Sequence, residues 1–156
     1  MRNLINVITL DSYGVDISLS CSKTEILDIL IECDIPYDMS RNDYCIINSK
    51  LLSMNCCFWI ALHFNFEELT TISITPNEVP NDLKKVRLHY WEVQKKLKNI
   101  LGKVNQKKSI IMEFFDPNDL YNSWTVDGVC IEHRLNNRFG MEEIIAIKPI
   151  RGRFYD

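Results

Sequence analysis

The 156-residue sequence has few of the residues that build phosphate loops and metal sites. Its five glycines are scattered singly, so no glycine-rich loop can hold a phosphate group. The three histidines, His63, His89 and His133, show neither H-x-x-x-H nor H-E-x-x-H spacing, and the six cysteines contain no C-x-x-C pair. We therefore predict no metal ion and no cofactor.

Long apolar runs are also missing from the sequence. The longest run is far shorter than the roughly 18 residues that a membrane-spanning helix requires. The N-terminal stretch MRNLINVITLDSYGVD turns polar before it reaches the length of a signal peptide. Without a secretion signal the cysteines are expected to be reduced thiols, mostly buried. These features predict a cytoplasmic protein that binds no membrane.

What the chain does contain is the composition of an ordinary globular protein. It is 46% hydrophobic and 25% charged, and its length suits one domain covering residues 1–156. Its charge is divided unevenly. Residues 1–80 carry four Lys and Arg against eleven Asp and Glu, whereas residues 81–156 carry fourteen against ten. This asymmetry favours a charged protein partner, or self-association into a homo-oligomer, over a nucleic-acid role.

The clearest pattern is a predicted hairpin from Asn55 to Pro76. In its first arm alternate residues from Cys56 to Phe64 are apolar and face one side, while Trp59 and His63 face the other. The turn at residues 65–68 lacks glycine, which predicts a four- or five-residue connection. A second hairpin, with strands at 121–126 and 129–134, is predicted around Asp127-Gly128. A last strand is predicted at 142–148, while residues 37–42 are expected to form a loop.

Two helices are predicted. Residues 22–25 have the sequence of a capping box and open a helix that ends before Pro36. The second helix covers residues 82–101, with apolar residues spaced by three and four, and Gly102 ends it. We expect His89, on its polar side, to face solvent. Residues 109–115 are either a buried strand or a turn of helix, which periodicity does not decide.

The two halves of the chain can be aligned as repeats covering residues 15–76 and 81–149. In this alignment His63 falls on His133, and residues 72–76 fall on residues 145–149. Each unit would be a helix followed by three antiparallel strands. We therefore predict an α+β fold, in which a tandem αβββ repeat forms a mostly antiparallel sheet with two helices packed on one face.

A family resemblance follows from two stretches, VDISLSCSKTEILDIL (15–30) and FEELTTISI (66–74). Their turn, helix and L-x-x-I strand resemble the helix-plus-meander unit of the β-lactamase-inhibitor-protein and small outer-membrane-assembly lipoprotein superfold. The glycine usual before such a helix is Ser20 or Cys21 here. The chain also resembles bacterial toxin-immunity proteins in size and composition. The first resemblance implies a protein that binds another protein across its open sheet face.

The functional hypothesis is a non-catalytic protein-binding domain, such as a bacterial immunity or inhibitor protein whose partner is a toxin. Its proposed binding residues are aromatic, histidine and arginine side chains on the sheet face, which have the composition of a binding hot spot. They are Trp59, His63, Trp124, His133 and Arg134. The acidic N-terminal half would cover a basic surface of the partner.

Two alternatives remain open from the sequence. His63 and His133 could line a cleft between the units, with Glu132 or Glu143 orienting them, in a hydrolase or small-ligand binder. A Cys57–His63 pair is excluded because roughly 20 Å of strand separates the two residues. The basic side of the second helix could instead bind nucleic acid with a steep salt dependence. Its residues are Lys84, Lys85, Arg87, Lys95, Lys96 and Lys98.

Overall fold

The computed structural model describes residues 7–80, 82–103, 106–107, 120–136 and 142–150. Within these ranges lie ten strands and two helices. In chain order they are β1 (Val7–Leu10), β2 (Val15–Ser18), α1 (Lys23–Glu32), β3 (Tyr37–Arg41), β4 (Tyr44–Lys50), β5 (Cys57–Asn65), β6 (Glu68–Pro76), α2 (Leu83–Leu101), β7 (Gln106–Lys107), β8 (Leu120–Val126), β9 (Val129–Asn136) and β10 (Glu142–Pro149). The undecided segment 109–115 and the C-terminal tail at 151–156 fall outside the described residues.

One large antiparallel sheet forms the frame of the molecule. Its strand order is β3-β4-β5-β6-β10-β9-β8-β7, and β1 and β2 form a separate hairpin. Each helix thus precedes a four-stranded meander in the described chain, one strand more than predicted. The two meanders join where β6 pairs with β10, with Ile72 opposite Ile147 and Ser73 opposite Ala146. The α+β class and the antiparallel sheet are confirmed, while the tandem repeat stays a prediction.

Both helices begin directly after a residue whose side chain caps them. Ser22 forms the predicted capping box, since its hydroxyl accepts from the amide of Glu25 and the Glu25 carboxylate accepts from the Ser22 amide. In α2 the cap is Asp82, whose carboxylate accepts from the amide of Lys84. Gly102 ends this helix with a positive φ of 80°. Local hydrogen bonding therefore determines where each helix begins along the chain.

The main core lies on one face of the large sheet. Inward residues of β5, from Phe58 to Phe64, pack in one buried cluster with Ile26 and Leu30 of α1 and with Val93 and Leu97 of α2. Residues of the β1–β2 hairpin join the same cluster. The helices and the small hairpin therefore cover this face, which we call the core face. Neither described helix packs on the opposite side of the sheet, which we call the open face.

Two local predictions are wrong. Residues 37–41 form the edge strand β3, because Tyr37 and Asp38 pair with β4 despite their exposure. The turn between β5 and β6 is also tighter than expected, since Asn65 pairs directly with Glu68 and only two residues connect the strands. Phe66 there has a φ of 55°. Contacts with α1 fix this turn, because the carboxylate of Glu67 accepts from the amide and hydroxyl of Thr24.

Candidate functional site

Three of the five predicted binding residues lie on the open face. Trp59, on β5, has 44% of its surface exposed, and its strand neighbours are Asn48 and Thr75. His63 lies four residues further along β5, on the same face. Its ring stacks on that of Tyr44, with the ring centroids 6.0 Å apart. Arg134, on β9, lies three strands away, about 14 Å across the sheet. The predicted orientation of Trp59 and His63 is therefore confirmed.

The centre of the open face carries small side chains. Ala61, Ser73 and Ala146 lie side by side on β5, β6 and β10. Next to Ala146, on β9, Glu132 accepts from Lys148 at 3.3 Å and lies 3.6 Å from the guanidinium of Arg134. The surface thus combines an exposed aromatic ring with small central residues and a charged cluster.

The other two predicted binding residues do not belong to this surface. Trp124 is fully buried on the core face, where its indole Nε1 donates to the carbonyl of Gly102 at 3.2 Å. His133 is also fully buried, opposite Ile145 and Asn122. The prediction that His63 and His133 share a cleft is wrong, because the two side chains point to opposite faces of the sheet.

A cavity lies on the core face, away from both histidines. It has a volume of about 230 Å³ and an apolar lining that includes Ile8, Leu97 and Ile147. Neither His63 nor His133 is among its lining residues. Among the described residues, no cluster of histidine, cysteine and acidic side chains has the arrangement of a metal site. The hypothesis of a hydrolase built from the two imidazoles therefore has no geometric support.

What the structure does bring together is a polar network between α2 and the sheet. Its centre is the Glu143 carboxylate on β10, which is only 4% exposed. Oε2 of Glu143 lies 2.6 Å from Nδ1 of His89, and Oε1 lies 2.8 Å from Nε2 of His133. One buried carboxylate therefore joins two imidazoles from different elements. The prediction that His89 faces solvent is wrong, since His89 lies against this buried group.

Further contacts hold His133 in place. Its Nδ1 lies 2.7 Å from Oε1 of Gln94, and the ring of Tyr90 stacks on its imidazole with centroids 4.1 Å apart. Asn122 donates to the Tyr90 hydroxyl at 2.8 Å. The side-chain amide of Gln94 can present its carbonyl oxygen or its NH2 group, so it satisfies Nδ1 in either protonation state. The inner end of the network is therefore fixed on several sides.

The network shifts the pKa values of His133, His89 and Glu143 in different directions. Burial lowers the pKa of His133, although the hydrogen bond to Glu143 opposes this effect. The hydrogen bond to Glu143 raises the pKa of His89, against a smaller effect of burial. Burial acts to raise the pKa of Glu143, but the hydrogen bonds from both histidines outweigh it and lower the pKa. These shifts favour an ionised Glu143 and a protonated His89 beside a neutral His133.

A thiol completes the outer end of the network. Sγ of Cys56, just before β5, lies 3.3 Å from Nε2 of His89.

The sequence did hold a signal for the buried carboxylate of the network. Glu143 occupies an inward position of β10, in step with Ile145 and Ile147, where a charged side chain needs a partner. No comparable signal marked Cys56 or His89, because only the fold brings them together.

The chain matches no family model, curated protein or solved structure in comparisons with known proteins. Neither of the two described helices is long and apolar enough to cross a membrane. The resemblance to inhibitor and immunity proteins therefore stays a prediction.

Proposed function

We propose that this protein is a binding domain that covers the surface of another protein with its open sheet face. The observation that carries the proposal is Trp59, a large aromatic side chain 44% exposed in an interior strand of an eight-stranded sheet. Tryptophan is among the residues most enriched at binding hot spots. A sheet that places its helices on one side offers the other side for contact.

The partner that this face suits has a basic surface. Exposed acidic side chains border the N-terminal half of the sheet, including Asp38, Asp43 and Glu68. Complementary charge of this kind speeds association and suppresses wrong partners more than it sets affinity. A basic toxin held inactive by an immunity or inhibitor protein is the partner class that the sequence resemblance implies. The bound partner would lie across Trp59 and the neighbouring side chains of the open face.

The test compares Trp59→Ala with a matched control, Trp91→Ala, in capture experiments with the purified protein as bait. Trp91 is 53% exposed, but it lies on α2 and not on the sheet. A protein captured by the wild type and by Trp91→Ala, and lost with Trp59→Ala, would be the expected partner. With that partner purified, titration calorimetry should show Trp59→Ala weakening Kd by about 30-fold, the loss of a hot-spot residue.

Circular dichroism of each variant should first show an unchanged fold, so that lost capture reports the surface alone. Raising the salt concentration should slow association of the wild type. Equal capture by Trp59→Ala and the wild type, or loss confined to Trp91→Ala, would contradict binding through the open face.

A further inference from the structure

The residues Cys56, His89 and Glu143 lie in line, each from a different part of the chain. Sγ of Cys56 is 3.3 Å from Nε2 of His89, and Nδ1 of the same imidazole is 2.6 Å from Oε2 of Glu143. We call these three residues the thiol triad. A thiol, an imidazole and a carboxylate joined in this order are the parts of a base-activated nucleophile.

The inner part of the thiol triad is rigidly held. Glu143 is fixed by its second hydrogen bond to His133, and Gln94 fixes His133 in turn. Because the carboxylate accepts from Nδ1, the imidazole of His89 presents Nε2 to the thiol. The ring of Phe58 packs 6.0 Å from that imidazole and limits its tilt. The orientation that a general base needs is therefore built in before any substrate arrives.

The outer part of the thiol triad can be reached from solvent. Glu143 has only 4% of its side chain exposed, whereas His89 has 19%, and Cys56 is half-buried. The imidazole and the thiol are thus both partly exposed, whereas the carboxylate is buried. A purely structural network would have no need to end in a reachable nucleophile.

We propose that Cys56 is a nucleophile that accepts an acyl group from an ester or thioester, with His89 as its general base and Glu143 as a positioning residue. Nε2 of His89 takes the thiol proton while the sulfur attacks the acyl carbonyl carbon. The bond from that carbon to the leaving alkoxide or thiolate breaks, and the leaving group receives the proton from His89. The products are an S-acyl Cys56 and a free alcohol or thiol. Water activated by His89 then hydrolyses the thioester to a carboxylic acid and restores the thiol.

The charges around the thiol triad suit this order of events. Burial raises the pKa of the Cys56 thiol, and the nearby carboxylates of Glu92 and Glu143 act in the same direction. The thiol therefore keeps its proton at neutral pH and must pass it to the base during the attack. The hydrogen bond to Glu143 raises the pKa of His89, and Glu92 adds to the effect. Reaction should accelerate as the pH rises and the imidazole becomes neutral and able to accept a proton.

This site is independent of the proposed binding surface. Cys56 precedes β5 on the side of α2, whereas Trp59 lies on the open face of the same strand. The next residue, Cys57, is half-buried and alternates to the opposite side, so it does not share the contact with His89. Cys57 is therefore a natural internal control.

The first experiment uses only the wild-type protein and the activated ester p-nitrophenyl acetate. Short exposures at several pH values, followed by peptide mass spectrometry, give separate acetylation rates for Cys56, Cys57 and Cys33. We expect Cys56 to react at least tenfold faster than the others, although Cys33 is the more exposed. Equal rates at the three thiols, or faster reaction at Cys33, would overturn the proposal.

The second experiment compares variants. Cys56→Ser should abolish the acetylated peptide and the initial burst of p-nitrophenol, while Cys57→Ser should preserve both. His89→Gln should slow acetylation of Cys56 by about 10²- to 10⁴-fold, the usual contribution of a general base. Glu143→Gln should slow the reaction and shift its pH profile to lower pH, because the carboxylate that raises the pKa of His89 is gone. An unchanged rate in folded His89→Gln would refute the assigned base, and the wild-type competition decides the matter if that variant does not fold.

Discussion

At the scale of single residues, Glu143 is the most consequential side chain. It is a buried carboxylate placed between two imidazoles whose pKa values shift in opposite directions, because burial outweighs the hydrogen bond to Glu143 at His133 but not at His89. Removing one partner of a buried, hydrogen-bonded charge costs about 3–5 kcal/mol, because the remaining groups stay unsatisfied. The pairing with His89 is thus a condition for placing Glu143 in the core. It also links stability to pH.

The pH dependence can be predicted from the directions of the pKa shifts. The pKa of His89 is raised above 6.5, so its contribution to stability is fully present below pH 6.5 and is lost as the pH rises through the folded pKa. Urea unfolding of the wild type and His89→Gln should therefore show a free-energy difference that shrinks as the pH rises above about 6.5.

At acid pH, His133 and Glu143 change the stability in the opposite direction to His89. The pKa of His133 and that of Glu143 are lowered, so their contributions are lost as the pH falls below their ordinary values. This acid loss should persist in His89→Gln. A stability difference between the wild type and His89→Gln that grows toward alkaline pH would show that the sign is wrong.

At the scale of elements, α1 is stabilised more by hydrogen bonds at its N-terminus than by its length. It has ten residues, too few for an isolated helix to be stable, and only Ile26 and Leu30 are buried. Its N-terminus compensates with the capping box of Ser22 and with hydrogen bonds from Thr24 to Glu67 in the β5–β6 turn. These contacts explain why a glycine-free turn is tight here. The helix and the turn fix each other.

Ser22→Ala should therefore destabilise the protein by about 1 kcal/mol, within the range of about 0.5–2 kcal/mol that N-cap removal costs. The control is Ser40→Ala, since the exposed Ser40 makes only a 3.5 Å contact with Tyr44. Thermal unfolding followed by circular dichroism measures both variants. The same decrease in Tm in the two variants would show that the hydrogen bonds of the cap do not stabilise the protein.

At the scale of the whole molecule, the two meanders share one core. The main buried cluster extends from Ile8 to Ile147 and includes side chains from both helices. The strands β6 and β10 meet in the middle of the sheet, where Ile72 and Ile74 pair with Ile147 and Ile145. Neither half can bury its apolar face alone, because each would expose this central strand edge.

Separate expression of residues 1–80 and 81–156 should therefore give two chains that do not fold cooperatively. The full-length protein should unfold in a single transition by both near- and far-ultraviolet circular dichroism. Mixing the two halves should restore native signal from the buried Trp124 if the shared core drives assembly. A cooperative melt of either half alone would contradict a single shared core and would favour independent repeat units.

The sequence by itself determined the features that depend on neighbours along the chain. The capping box at Ser22, the Asp127-Gly128 hairpin and the alternation that turns Trp59 away from the core depend on local hydrogen bonding and period-two geometry. The tertiary structure alone decided which faces of β8 and β9 are covered, and so buried Trp124 and His133. It also joined Cys56, His89 and Glu143. Their sequence spacing carries no signal, because only the packing of α2 against the sheet brings the three residues together.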